Sequence, residues 1–100
     1  MAYLTSKARR FVDHAMSLPE NARYEREWAA WRDARPPSSE PMELTIEAAH
    51  IVVEALRQYQ RWLSHRIEIG PRDEDLRADM GNDLSFIAAV ERDVARSLGR

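Results

Sequence analysis

Thr45–Leu98 reads TIEAAHIVVEALRQYQRWLSHRIEIGPRDEDLRADMGNDLSFIAAVERDVARSL, and this stretch decides the fold. It contains two long segments in which apolar residues recur at helical spacing, and Gly70-Pro71 separates them. An amphipathic helix has one broad apolar face, and that face has to be covered. Two such helices cover each other when the chain reverses between them, so the sequence predicts an antiparallel helical hairpin.

The first of these helices is predicted from about Leu44 to Ile69 and the second from Asp73 to Leu98. The apolar side chains of the first helix fall within an arc of about 160° around its axis. A left-handed cap is expected at Gly70, because glycine adopts that conformation without steric cost. In the second helix the apolar phase continues across Gly81, which favours one continuous helix, and a break at this glycine is the alternative.

Two shorter helices are predicted in the N-terminal part, the first starting at Thr5 or Ser6 and ending at about Ser17, and the second from Pro19 to about Ala34. The predicted fold class is all-α: a four-helix, bundle-like single domain. It divides into an N-terminal helix pair (1–35), a proline-rich linker (36–43) and the hairpin (44–100). Residues 42–46 alternate in polarity and also fit an extended strand, but a single strand would have no partner. We find no internal repeat by inspection.

The composition excludes several classes of protein. The 100 residues are 44% hydrophobic and 32% charged, with a net charge of −2 and no cysteine. Disulfides and cysteine-ligated zinc are therefore excluded, and no apolar run approaches the ~20 residues that span a bilayer. The first seven residues lack the features of a signal peptide, so we expect a cytoplasmic protein that does not contact membranes. Lys7 is the only lysine among 15 basic residues, a bias typical of GC-rich bacterial or phage genomes.

No motif for catalysis, metal or cofactor binding is found. The acidic stretch 73–83 would place Ala78 and Leu84 where a calcium loop needs glycine and glutamate. The histidines lack the spacing of a helical metal pair, and the chain has neither a glycine-rich phosphate loop nor a nucleophile elbow. The sequence predicts a protein that is not an enzyme and has no metal and no cofactor.

Polar side chains within the apolar arcs are predicted to form a structural polar core. Arg66 lies in the arc of the first hairpin helix, and Asp79 and Asp83 lie in that of the second. A turn near residue 71 brings Arg66 close to Asp79, and Asp83 close to Tyr59. Because a buried charge without a partner costs several kcal/mol, we expect Arg66 to pair with Asp75 or Asp79, and Asp83 to accept a hydrogen bond from Tyr59 or from a neighbouring helix.

The best candidates for partner binding share an aromatic, arginine or uncovered aliphatic side chain. They are Tyr24, Trp28, Trp31, Arg32, Arg35, Ile46 and Val53. The three aromatic residues form a stripe at i, i+4 and i+7, and tryptophan and arginine dominate many protein interfaces. A core position, in which these rings cover the hairpin, is favoured over partner binding for the stripe. The two aliphatic residues lie outside the main arc, where another helix of the chain or another protein must cover them.

Three classes of function remain. The first is a non-catalytic protein-binding protein, such as a small bacterial or phage inhibitor, immunity protein, antitoxin or adaptor, with a homodimer through Ile46 and Val53 as a variant. The second is a nucleic-acid-associated accessory factor, for which residues 1–35 supply seven basic and five acidic side chains, 7 − 5 = +2. The interleaved acids make nucleic acid an unlikely partner. The third is a small helical enzyme that uses Asp79, Asp83 and Glu91. The first class is preferred.

Overall fold

Within the part of the chain that the structure describes, the secondary structure consists of four helices, one 3-10 turn and two very short strands. The structure is a computed structural model that describes residues 2–34, 42–70 and 72–99. In chain order the elements are β1 (Ala2–Leu4), α1 (Ser6–Met16), a 3-10 turn (Pro19–Asn21), α2 (Ala22–Asp33), β2 (Met42–Leu44), α3 (Ile46–Ile69) and α4 (Glu74–Ser97). The predicted all-α, four-helix, bundle-like fold is confirmed.

The α3–α4 hairpin is the main packing unit. Each helix has 24 residues, and α4 runs through Gly81 without a break. Between the two helices, the Arg57 guanidinium Nε donates to Glu91 Oε1 at 2.8 Å. The turn differs from the prediction, because Gly70 has φ −91° and ψ −152° and is not left-handed. Glycine is needed there for a different reason: a Cβ would collide with the carbonyl oxygen of Arg66.

The two strands correct the sequence analysis. β2 pairs antiparallel with β1, and Tyr3 lies opposite Glu43. The N-terminal residues thus supply the partner that a lone strand lacked. Leu4, in β1, is only 1% exposed. The last two residues of the predicted linker belong to β2. The remainder of that linker, residues 36–41, lies outside the described residues.

A repeated pattern connects the two halves of the chain, which corrects the expectation that none exists. Each strand leads into a threonine that caps the next helix: Thr5 Oγ1 accepts from the Ala8 N–H at 3.2 Å, and Thr45 Oγ1 accepts from the Ala48 N–H at 3.1 Å. The matching positions are 45 − 5 = 40 residues apart. The same spacing relates further identical residues, all buried: Leu4 and Leu44, Ala8 and Ala48, Val12 and Val52, Ala15 and Ala55. Each half is a strand followed by two helices.

The halves differ in helix length, and this leaves one end of the hairpin uncovered. α1 has 11 residues whereas its counterpart α3 has 24. At about 1.5 Å per residue, α3 extends roughly 20 Å further than α1. Most buried residues of α3 lie between positions 48 and 56, and those of α4 are Ile87 and Val94. The turn end of the hairpin therefore projects beyond the N-terminal helices.

The core lies between α1, α2 and the other end of the hairpin. Its largest fully buried side chains include Trp28, Leu56 and Ile87. One polar residue is buried among them: Asn21, with 0% exposure, donates from Nδ2 to the carbonyls of Ala15 at 2.7 Å and Ala55 at 3.2 Å. This amide fixes the end of α1 to the middle of α3. Among the described helices, none has the length and hydropathy required to cross a membrane.

Candidate functional site

The aromatic stripe of α2 belongs mainly to the core. Trp28 is 2% exposed, its Nε1 donates to Asp13 Oδ1 at 2.7 Å, and its ring stacks on Trp31 with centroids 5.1 Å apart. Tyr24 and Trp31 are half-buried at the edge of the same cluster. Trp28 is therefore not available as a partner-binding residue: it lies in the core, the position that the sequence favoured, and its ring joins α2 to α1.

The arginines near the stripe are held by contacts within the chain. Arg32 Nη1 lies 3.1 Å from Asp13 Oδ1 and its Nε lies 3.2 Å from Asp33 Oδ1. The hydrogen bond with Asp13 is the main cause that raises the pKa of Arg32, against the opposing effect of burial. Arg9 donates to the carbonyl oxygen of Arg32 at 3.4 Å. These contacts occupy part of the basic N-terminal face; Arg35 lies outside the described residues.

The two aliphatic candidates differ in exposure. Val53 is 1% exposed and belongs to the core cluster, so its prediction as a partner-binding residue is wrong. Because its side chain is already covered within the chain, Val53 offers no exposed surface to a second copy. Ile46 is 69% exposed at the start of α3 and remains a surface candidate.

The predicted polar core does not form at the turn end of the hairpin. Arg66 and Asp79 are both exposed, and the Arg66 guanidinium lies 5.2 Å from the centre of the Trp62 ring. No salt bridge joins Arg66 to Asp75 or Asp79, although all three are described residues. The prediction was wrong because it extended the buried arc to the turn, where no further helix covers it.

Tyr59 and Asp83 are neighbours, as the hairpin register predicted. Both are half-buried and line one cleft. Burial raises the pKa of Tyr59, and the negative charge of Asp83 raises it further. The expected hydrogen bond between Tyr59 and Asp83 is not formed in the described part of the chain. Only this part of the predicted polar core lies inside the fold.

The hairpin tip surface is defined here as Trp62, Arg66, Ile69 and Leu76, and it contains three of the exposed large apolar side chains of the described structure. Trp62 is 38% exposed, Ile69 68% and Leu76 49%. Trp62, Arg66 and Ile69 lie within about 60° of each other around α3. Leu76, in the first turn of α4, lies at the same end of the hairpin. Apolar patches of this kind, with a polar rim, are typical of interaction sites.

Sequence reasoning missed this surface because it assigned every apolar residue of the hairpin arc to the core. The lengths of the predicted helices were the signal that could have revealed this surface. A predicted helix of about 26 residues cannot be covered along its whole face by helices of about 12 to 16 residues. The excess apolar face had to lie at one end of the hairpin.

The acidic residues of the enzyme hypothesis do not form one site. Glu91 is 18% exposed in its side chain and pairs with Arg57, whereas Asp79 is exposed. Among the residues that the structure describes, no group of three histidine or acidic side chains is close enough to hold a metal ion.

Comparisons with protein-family models, with curated proteins and with solved structures found no match to this chain. What the chain binds is therefore inferred from its own side chains.

Asp83→Asn is expected to lower the pKa of Tyr59, because it removes one of the two causes that raise it. Burial, the larger cause, remains, so the pKa stays above its ordinary value of about 10. Ultraviolet titration of the phenol, in a background where Tyr3 and Tyr24 are phenylalanine, measures the change. Asp79→Asn, one helical turn away and exposed, is the matched control and leaves the pKa unchanged.

The same substitution has a defined effect on alkaline stability. A phenol whose pKa is raised in the folded state contributes stability that is fully present below the unfolded pKa of about 10 and is lost as pH rises through the folded pKa. Asp83→Asn brings the folded pKa of Tyr59 closer to the unfolded value. We therefore expect the variant to lose less stability than the wild type as the pH rises above about 10. An unchanged Tyr59 titration in the variant would show that the two side chains are not coupled.

Proposed function

We propose that this chain is a non-catalytic protein-binding protein whose partner covers the hairpin tip surface. The observation that supports this most is the exposure of three large apolar side chains at the end of a hairpin that the N-terminal helices leave bare. Fully buried aromatic and aliphatic anchors supply most of the energy in protein interfaces. A partner that buries these side chains would gain about 25 cal/mol for each Å² of apolar surface removed from water.

The composition of the hairpin tip surface resembles that of an interface hot spot. Tryptophan and arginine are the residue types most enriched there, and Arg66 already stacks on Trp62. The stacked guanidinium keeps donors for a partner carbonyl or carboxylate. A small inhibitor, immunity protein, antitoxin or adaptor would act through one rigid anchor of this kind. The nucleic-acid alternative is less favoured, because Arg9 and Arg32 are committed to contacts within the chain.

The test compares two variants of matched chemistry on the same helix. Ile69→Ser removes an apolar side chain from the hairpin tip surface, and Ile46→Ser removes an equally exposed one at the other end of α3. Tagged wild-type chain and both variants are used to capture partners from the organism that encodes them. We expect proteins that are retained by the wild type and by Ile46→Ser but are lost with Ile69→Ser. Trp62→Ala is expected to weaken the same interaction by about 30-fold or more, a hot-spot effect.

Two results would contradict this proposal. Equal retention by all three chains would show that the hairpin tip surface carries no interface. Loss only with Ile46→Ser would move the interface to the start of α3. Light scattering at several concentrations identifies the case in which the partner is a second copy: self-association that Ile69→Ser abolishes.

A further inference from the structure

A second feature, separate from the hairpin tip surface, is a cleft where α1 crosses the hairpin. Its volume is about 400 Å³. α1 contributes most of its lining, and α3 and α4 each contribute one residue; the lining is Lys7, Arg10, Phe11, His14, Tyr59 and Asp83. A cleft of this size suits a small organic ligand.

The floor of the cleft is aromatic. Phe11 and Tyr59 are half-buried and pack against the core, and the Phe11 ring centroid lies 5.2 Å from that of Phe86. Burial is the main cause of the raised pKa of Tyr59, which reflects the apolar surroundings of its ring. Its phenol stays protonated at neutral pH and remains a hydrogen-bond donor. Such a floor favours a planar ring or a short aliphatic chain.

The walls of the cleft carry opposite charges in unequal number. Lys7, Arg10 and His14 are exposed at i, i+3 and i+7 on α1, so they form a row along one wall. Asp83, on α4, is the one carboxylate of the lining. With histidine neutral, the balance of the lining is 2 − 1 = +1.

Lys7 and Arg10 are free to bind an anionic ligand, whereas the neighbouring arginines already have partners within the chain. In the described part of the chain, neither Lys7 nor Arg10 forms a salt bridge, whereas Arg32 forms two. The Lys7 ammonium lies 4.3 Å from the centre of the Phe86 ring, which holds it at one end of the row. Donors that have no carboxylate partner bind an anion without breaking an existing salt bridge.

From the row of basic side chains, the aromatic floor and the single carboxylate, we propose that this cleft binds a small organic anion in which a short chain joins a carboxylate to an aromatic ring. The ring packs on Phe11 and Tyr59, and the carboxylate accepts hydrogen bonds from Arg10 and Lys7. Asp83 opposes the anion and limits its affinity. None of the lining residues belongs to the hairpin tip surface, although the Tyr59 ring lies 5.7 Å from that of Trp62, and the two proposals are tested by different variants.

The test uses three probes that share a phenyl ring but differ in charge: phenylacetate, 2-phenylethanol and 2-phenylethylamine. Amide and aromatic NMR shifts of the intact chain are followed as each probe is added. We expect saturable shifts at Phe11 and Tyr59 with phenylacetate. Its affinity should exceed that of 2-phenylethylamine by about tenfold, the factor that one charge-assisted hydrogen bond supplies.

Variants at positions outside the buried core test the assignment. Arg10→Gln should weaken phenylacetate binding by about tenfold. Arg92→Gln, exposed on α4 and outside the cleft, should leave it unchanged. Asp83→Asn should strengthen binding by about twofold to fivefold, because a half-exposed like charge is removed. The proposal fails if phenylacetate produces no saturable shift, if the amine binds as tightly, or if Arg10→Gln binds like the wild type.

Discussion

Trp28→Ala is expected to lower the free energy of unfolding by about 3–5 kcal/mol, the usual cost of deleting a buried large aromatic side chain. The indole is 2% exposed, stacks on Trp31 and donates to Asp13 at 2.7 Å, so the substitution removes packing, a ring contact and a hydrogen bond together. A domain of this size is stable by only about 5–15 kcal/mol, so the variant should be close to unfolding at 37 °C. Urea denaturation followed by far-ultraviolet circular dichroism measures the change.

Trp62→Ala is the matched control, because this indole is 38% exposed at the hairpin tip. We expect it to cost less than about 1 kcal/mol of stability, as is usual for surface positions. Trp28→Phe separates the two contributions at the buried site, since it keeps most of the packing but removes the N–H donor, at a cost of about 1 kcal/mol. Equal destabilisation by Trp28→Ala and Trp62→Ala would show that α2 does not pack as described.

Periodicity predicted the helices well because their apolar spacing persists over many turns. α3 and α4 were predicted within two residues of their observed bounds, and the largest difference is at the start of α3. The error there has a local cause. Leu44 continues the helical phase by coincidence, but Thr45 starts the helix by capping it, and Leu44 pairs with Ala2 in the strand ladder.

Long-range pairing is what the sequence did not reveal. A strand of three residues has too few positions for alternation to be recognised, and its partner lies about forty residues away. The same limit affected the candidate site. Whether Trp28 and Val53 are core or surface depends on where α1 and α2 cross the hairpin, which no helical pattern specifies. By contrast, Tyr59 and Asp83 were correctly predicted to be neighbours, because the hairpin turn fixes their register locally.

The glycine at the turn shows how a residue can be assigned correctly for the wrong reason. Gly70 ends α3 as predicted, but its φ of −91° is accessible to any residue. What excludes a side chain is the approach of the Arg66 carbonyl to the position of the missing Cβ. Composition identifies a glycine as a turn residue, whereas the physical reason depends on how the backbone is folded around it.

Asn21→Asp is expected to be as damaging as the loss of Trp28, at about 3–5 kcal/mol at neutral pH, although it changes the side chain by only one group. The amide is fully buried, and its NH₂ group donates to the carbonyls of Ala15 and Ala55. An ionised carboxylate has no donor for either carbonyl, and it would be a buried charge without a partner. Asn82→Asp, at an exposed position of α4, is the matched control and should change stability by less than about 0.5 kcal/mol.

The pH dependence of the Asn21→Asp variant distinguishes this cause from a simple loss of packing. Burial and the two facing carbonyls disfavour the charged form, so the pKa of the introduced carboxyl rises above its unfolded value of about 3.9. A group with a raised folded pKa contributes stability that is present below the unfolded pKa and is lost as pH rises through the folded pKa. The variant should therefore regain stability relative to the wild type on acidification, because a protonated carboxyl donates one hydrogen bond again. Urea denaturation at a series of pH values measures this gap, and a gap that stays constant between pH 7 and pH 4 would mean that the side chain at position 21 reaches solvent.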